Sequence, residues 1–348
     1  MSVHKVRYGI VGLGNIFALR HRPELAKIPE AAIEMVCDVN AELAGQFAQE
    51  LGCRRTWDYR ELVSDGDVDA VMVLTPPPLH AEVAVAAARA GKHVFCEKPL
   101  APDLNGCRDI VGAAGDAGVI LCVGENHVFS PFVQWVESLR DDGTLGQIHR
   151  LRFQQGWWGP PTGRFYQSAV PCRGGSFLED GIHWIALARW LLKADPHAVT
   201  AVFRTRQPRR DLQEGVVQSQ VEDEAVVVLE FDSAIATCET SWTLNPGIMN
   251  LEIGGTRATV VNVNTGLAGA KVQAVATGGD EQEKIPLIVP DFDRSYPGQG
   301  TYLFEDRAFT EAITQNRAPP YSGDSAMRDV QIMLAAYESS EKATRIEL

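Results

Sequence analysis

The sequence predicts an α/β chain in two parts. Residues 1–125 should form a Rossmann domain, a doubly wound parallel sheet, and residues 126–348 an α+β domain with a large, mainly antiparallel open sheet. Three observations predict this. Short apolar runs alternate with helical stretches up to about residue 125. A Gly-x-Gly pair, Gly12-Leu13-Gly14, directly follows the first run. Beyond residue 150, strand patterns follow one another with few helices between them.

In the first part, Val6–Val11 reads as a buried strand and Asn15–Ala26 as a helix, the context that a dinucleotide-phosphate fingerprint requires. Gly12 permits the tight turn, and Gly14 lets the backbone approach a pyrophosphate seated on the free N–H groups of the helix start. The third fingerprint position is Phe17 rather than Gly or Ala, so strand–helix packing is expected to be looser or shifted there. The second strand, Ile33–Cys37, ends in Asp38, roughly 20 residues after the glycines, where a carboxylate accepts hydrogen bonds from ribose hydroxyls. No basic residue follows at Val39 or Asn40 to receive a 2′-phosphate, which favours NAD over NADP. The alternative task for Asp38 is to cap a helix over Asn40–Leu51. Strands Val68–Leu74, His93–Cys96 and Val119–Val123 complete the sheet, with helices at Leu79–Ala90 and Leu104–Ala117. Gly12, Asp38, Thr75-Pro76 and Glu97-Lys98 all fall at carboxyl ends of strands, where ligands of such sheets bind.

In the second part the strands are Leu151–Gln155, Val199–Arg204, Glu224–Phe231, Ala234–Ser241, Asn250–Ile253 and Thr259–Val263. Helices are expected near Phe177–Leu192 and Ser325–Thr344, and the domain boundary near Gly124–Pro131.

The formal net charge of -13 argues against nucleic acid or an anionic membrane as a partner. No apolar stretch is long enough to span a bilayer. The 7 cysteines are odd in number and scattered, and no signal peptide is evident, which fits reduced thiols in a cytoplasm. No Cys/His cluster has zinc spacing, so no metal is expected.

Two further signals carry chemistry. Lys98, beside a nicotinamide, would share in proton transfer; a solvated surface lysine is the ordinary alternative. Gly174-Gly175-Ser176-Phe177-Leu178-Glu179-Asp180-Gly181-Ile182-His183 places Glu179 and His183 at i and i+4 of a helix, where a carboxylate orients an imidazole for use as a base. Ser176 and Glu179 equally spell a capping box, which needs no chemistry. The loop Trp157-Trp158-Gly159-Pro160-Pro161-Thr162-Gly163-Arg164-Phe165-Tyr166 offers aromatic faces for a sugar ring and Arg164 for hydroxyls or a carboxylate; it reads equally well as an apolar loop or a lid.

These motifs coincide in one family. Gly-Leu-Gly-Asn-Ile at 12–16, Thr-Pro-Pro-Pro-Leu-His at 75–80, Gly-Lys-His-Val-Phe-Cys-Glu-Lys-Pro-Leu-Ala at 91–101 and the 174–183 segment resemble the glucose–fructose oxidoreductase, inositol dehydrogenase and rhizopine-catabolism (Gfo/Idh/MocA) family. The resemblance extends to Gly143–His149 and to the ending from Phe309, and so spans nearly the whole chain. It implies hydride transfer between a sugar or polyol hydroxyl and NAD(P), and homodimers or homotetramers formed through the second domain's sheet. It places cofactor contacts at Gly12, Gly14, Asn15, Ile16, Asp38, Thr75, Pro76, His80, Glu97, Lys98 and Asn126. Lys98, His183 and Glu179 become the catalytic candidates, with Lys98, Trp157, Trp158, Arg164, Tyr166, Asp180 and His183 toward substrate. The chain departs from the family at Phe17, at Glu179, where Asp is usual, and at Asn126-His127-Val128, where relatives often carry arginines; Asp180 is a second candidate support for His183. Two other activities fit the same motifs: a glycosidase or lyase that recycles NAD, and a dinucleotide-binding sensor without turnover.

Overall fold

The computed structural model describes residues 5–160, 167, 174–213, 215–264, 270–277, 284–291 and 300–348. The chain divides into two compact units. One holds Met1–Asn126 together with Gly300–Val330; the other holds His127–Gln299 and Gln331–Leu348.

The first unit is built on six parallel strands: β1 (Val6–Val11), β2 (Ala31–Cys37), β3 (Arg54–Thr56), β4 (Ala70–Val73), β5 (His93–Glu97) and β6 (Leu121–Gly124), in the order β3-β2-β1-β4-β5-β6. This is the doubly wound dinucleotide-binding order, and its direction reverses between β1 and β4, where such sheets bind ligands. The helices between strands are α1 (Arg22–Leu25), α2 (Ala41–Leu51), α3 (Tyr59–Ser64), α4 (His80–Arg89) and α5 (Leu104–Ala117). The helix expected over Asn15–Ala26 is not a plain α-helix. It opens with a π turn, Phe17–His21, before α1. Phe17 explains the shift: its ring is fully buried and meets Phe47 of α2 edge-on, with centroids 5.2 Å apart, so the backbone widens where a small residue would have allowed close packing.

A late segment completes this core. Helix α8 (Thr301–Gln315) contributes Phe309, which packs with Tyr8, Ile10, Met72 and Phe95 of the sheet, and the Tyr8 hydroxyl lies 2.7 Å from Thr310 Oγ1. Helix α9 (Gly323–Lys342) runs from the first unit's share of the chain into the second's.

The second unit carries α6 (Pro131–Asp141), α7 (Ile182–Leu192) and a nine-stranded sheet. Its strands are β7 (Ile148–Gly156), β8 (Ala198–Arg204), β11 (Glu224–Glu230), β12 (Ile235–Ser241), β13 (Ile248–Gly255), β14 (Ala258–Asn264), β15 (Ala270–Thr277), β16 (Lys284–Pro286) and β17 (Ile346–Glu347). A separate hairpin pairs β9 (Arg209–Leu212) with β10 (Gly215–Gln218). The order is β16-β15-β14-β13-β7-β12-β11-β8-β17, antiparallel throughout except for the parallel β12–β7 pair. Along β11 buried residues alternate with half-buried ones and exposed Val226, so one face is covered and the other partly open. Helix α7 packs on β7 and β12, with Trp184 stacked on Phe153 at 5.3 Å. Among the described residues no helix is long and apolar enough to cross a membrane. The six described cysteines are free thiols; Cys172 lies outside the described residues.

Because Phe309 fills the first unit's core from 185 residues beyond the end of its last strand at Gly124, Phe309→Ala should cost about 3–5 kcal/mol of stability, read by urea denaturation. A loss under about 1 kcal/mol would mean that α8 is an accessory to that core.

Candidate active site

The first unit gathers its polar signals at the carboxyl edge of the sheet. Gly12 has φ +97°, and a Cβ there would meet the Leu74 carbonyl oxygen at 2.6 Å, so only glycine fits where β1 passes β4. Gly14 is different. It is exposed, and a Cβ on it would project into open space, which leaves its backbone approachable by a pyrophosphate. Asn15 beside it is exposed and Ile16 half-buried.

Asp38 is pinned rather than free. Its Oδ2 accepts from Leu13 N at 2.9 Å and its Oδ1 from Asn40 N at 2.8 Å. A carboxylate offers about four lone-pair sites, so capacity remains for ribose hydroxyls. The capping alternative falls to Asn40, whose side chain accepts from Glu42 N and Leu43 N at the start of α2. At the end of β4, the buried Thr75 Oγ1 has no hydrogen-bond partner among the described residues, which leaves a donor and acceptor for a ligand; Pro76 next to it is exposed. These groups suit NAD: an open glycine backbone, an anchored carboxylate and an orphaned hydroxyl along one strand edge.

Three residues expected at the cofactor are buried and hydrogen-bonded within the protein. His80 is fully buried, with Nδ1 2.9 Å from the Pro99 carbonyl and Nε2 2.8 Å from the Thr75 carbonyl; burial lowers its pKa. It ties the end of β4 to the Glu-Lys-Pro turn. Glu97 is buried, its Oε1 3.1 Å from His21 Nε2 and its Oε2 accepting from Lys98 N at 3.0 Å. Asn126 is buried and donates from Nδ2 to Thr301 Oγ1 at 3.2 Å. Lys98 itself is half-buried at the exit of β5.

Behind Lys98 lies a group that no motif announced. His21, fully buried in the π turn, places Nδ1 2.8 Å from Asp306 Oδ1 of α8 and Nε2 against Glu97. Burial opposes a charge on the ring, yet Asp306 and then Glu97 outweigh it and raise the His21 pKa well above its ordinary value. Burial would raise Glu97, but His21 and Lys98 bring it down. Glu305 also lies here, fully buried, and its pKa is driven well up by burial and by Glu97. His21, Glu305 and Asp306 bring donor atoms within 4.8 Å of one another. Both ring nitrogens face carboxylates, an arrangement that favours the protonated ring.

The second unit holds the other candidates. The helix expected at Phe177–Leu192 opens with a π turn, Phe177–Gly181, before α7, so Glu179 and His183 do not share a continuous α-helical register. The capping box does not form: Ser176 makes no cap and its hydroxyl lies 3.1 Å from Thr240 Oγ1. Buried Glu222 replaces it, its Oε1 accepting from Gly175 N and Phe177 N, each at 2.9 Å. Glu179 is half-buried. Asp180 is buried and accepts from Gln155 Nε2 (3.0 Å), Trp157 Nε1 (2.9 Å) and Trp242 Nε1 (2.8 Å), and so fixes the two tryptophan rings. His183 is buried in the first turn of α7, with the His127 ring stacked on it at 3.9 Å and 3°. Trp158 is exposed. Arg164 and Tyr166 lie outside the described residues.

Two family profiles match the chain: an oxidoreductase family with an NAD-binding Rossmann fold over residues 6–125, and the Gfo/Idh/MocA C-terminal domain over 133–261. Together they span more than half of it. The chain belongs to the Gfo/Idh/MocA family. Among curated relatives of this family, myo-inositol 2-dehydrogenase of Thermotoga maritima is 28% identical over 346 residues, covering 99% of this chain and 98% of the relative. The scyllo-inositol 2-dehydrogenase (NAD(+)) of Bacillus subtilis is 28% identical over 350 residues, covering 99% and 97%. A solved structure of levoglucosan dehydrogenase with NADH and L-sorbose superposes with TM-score 0.88 at 24% identity, covering 99% and 98%, and shows the shared fold.

Replacing Asp38 with Ala removes a charged acceptor, so NADH affinity should fall about 10- to 100-fold and the margin over NADPH should narrow, as read by fluorescence titration. Unchanged affinity for both would place Asp38 outside the cofactor site.

Proposed function

We propose that this member of the Gfo/Idh/MocA family oxidises a hydroxyl of a sugar or polyol, and reduces the matching carbonyl in reverse, with Lys98 and His183 handling the proton. The observation that carries this reading is the placement of Lys98 at the exit of β5, on the same strand edge as Gly14, Thr75 and Asp38. The relatives named as inositol dehydrogenases support the substrate class.

NAD bound along that edge supplies the hydride acceptor. The chain's residues do the rest. Asp38 would hold ribose hydroxyls, Thr75 Oγ1 a further polar group, and the Gly12–Ile16 turn the pyrophosphate. His183 takes the hydroxyl proton at a ring nitrogen, and Lys98 Nζ assists; such acid–base help contributes typically about 10²–10⁴-fold. Glu179 remains the candidate orienting carboxylate, since both oxygens of Asp180 are engaged elsewhere. Trp157 and Trp158, with Arg164 and Tyr166, supply the sugar-facing loop. The chain acts in the cytoplasm as a homodimer or homotetramer; the open face of the second unit's sheet, with exposed Val202, Val226 and Ile235 on paired strands, is the surface for it.

The test is NADH absorbance on mixing the protein with NAD and a panel of inositols, sugars and sugar acids. Steady NADH formation with one class is expected, reduced at least about 100-fold in Lys98→Ala and in His183→Ala. Tight NAD binding without NADH from any compound would sink the dehydrogenase reading.

A further inference from the structure

The His21 cluster behind Lys98 has no task in the reaction as derived so far. His21 sits on a π turn, Glu97 ends β5, and Asp306 lies on α8; the imidazole is the polar link that joins these three segments, beside the packing of Phe95 on Phe309. Phe95 and Tyr302 wall the ring edge-on, each with its centroid 5.3 Å away, and shut out solvent. Glu97 is the hinge of the arrangement: one oxygen faces His21, and the other accepts the backbone N–H of Lys98.

We propose that His21, clamped by Asp306, is a positioning residue that holds Glu97 and through it fixes both the placement and the charge environment of Lys98. The backbone hydrogen bond from Lys98 N sets where the lysine leaves the strand. The imidazolium offsets the Glu97 charge that would otherwise stand uncompensated one residue from the ammonium. In the first unit the other groups facing this cluster are Glu305 beside Asp306 on α8, Glu125, which acts on Glu305, Glu24 of α1, which acts on Asp306, Lys98, His80 and Cys96 near Glu97, and Tyr8 and Cys122 near Asp306. Acids outnumber bases among them. His21 sits between two of the cluster's carboxylates, Glu97 and Asp306, and burial pushes the Glu305 pKa well up. This inference rests on the assignment of Lys98 to proton transfer.

The sign of the effect tests it. Removing the imidazolium in His21→Gln leaves Glu97 uncompensated and favours the charged lysine, so Lys98 should titrate about one pH unit higher. Glu97→Gln removes the negative charge, so Lys98 should titrate about one pH unit lower. The measurement is ¹³C NMR of the reductively dimethylated protein, with the Lys98 resonance assigned by its loss in Lys98→Arg. It needs no turnover, so failure of the dehydrogenase reading shows separately, as absence of NADH formation. In His21→Gln the single-turnover rate of NADH formation should fall about 10-fold at neutral pH while NADH affinity stays within about twofold, a split that general loss of structure would not produce. Opposite shifts in the two variants support the proposal. No shift in either, or shifts of the same sign, overturns it. If His21→Gln does not fold, Glu97→Gln decides alone: a Lys98 titration unmoved or raised overturns the proposal.

Discussion

An imidazole buried between two carboxylates is the interaction on which the first unit's polar edge depends. Taking ions out of water costs several kcal/mol each, and the cost is offset only when charges are paired and their hydrogen bonds satisfied. His21 meets that condition with Asp306 on one side and Glu97 on the other. The three residues come from segments far apart in the chain, so the pairing also locks α8 against the end of β5. Any rearrangement that parted them would strand a buried charge, typically costing about 3–5 kcal/mol. That penalty gives the Glu-Lys-Pro turn a single geometry, and Lys98 inherits it.

Buried carboxylates order the second unit by the same means. Glu222 satisfies two N–H groups at the start of the helical segment that carries His183, the Tyr337 hydroxyl donates to the same oxygen, and burial raises its pKa. Asp180 collects three side-chain N–H groups and fixes the Trp157 and Trp242 rings, whose planes stand nearly perpendicular. In both cases the acid acts on the scaffold. The residues left to face a ligand are those whose polar atoms the scaffold does not consume, such as Thr75 in the first unit.

Local sequence was a good guide where one strand or one turn decides the outcome. The strand Val6–Val11 and the helix Leu104–Ala117 stand as read from their patterns, since apolar period and flanking glycine act within a few residues. Gly12 was legible because a positive φ and a crossing backbone admit no side chain. The short β3 and the helices α3, α6 and α8 escaped. A three-residue edge strand carries almost no periodicity, and the apolar positions of α8 gain meaning only once a sheet exists for Phe309 to meet.

The sequence by itself determined the parallel sheet, the glycine turn, the carboxylate at the tip of β2 and the position of Lys98, because each follows from residues near in the chain. Only the tertiary structure decided which polar residues face inward. His80 and Glu97 came to tie buried segments together, and Asp180 to hold two tryptophans. His21 and Asp306 joined across 285 positions, and His127 came to stack on His183. The physical reason is that a buried polar atom must find its partner wherever the fold supplies one, and that partner is set by packing rather than by spacing.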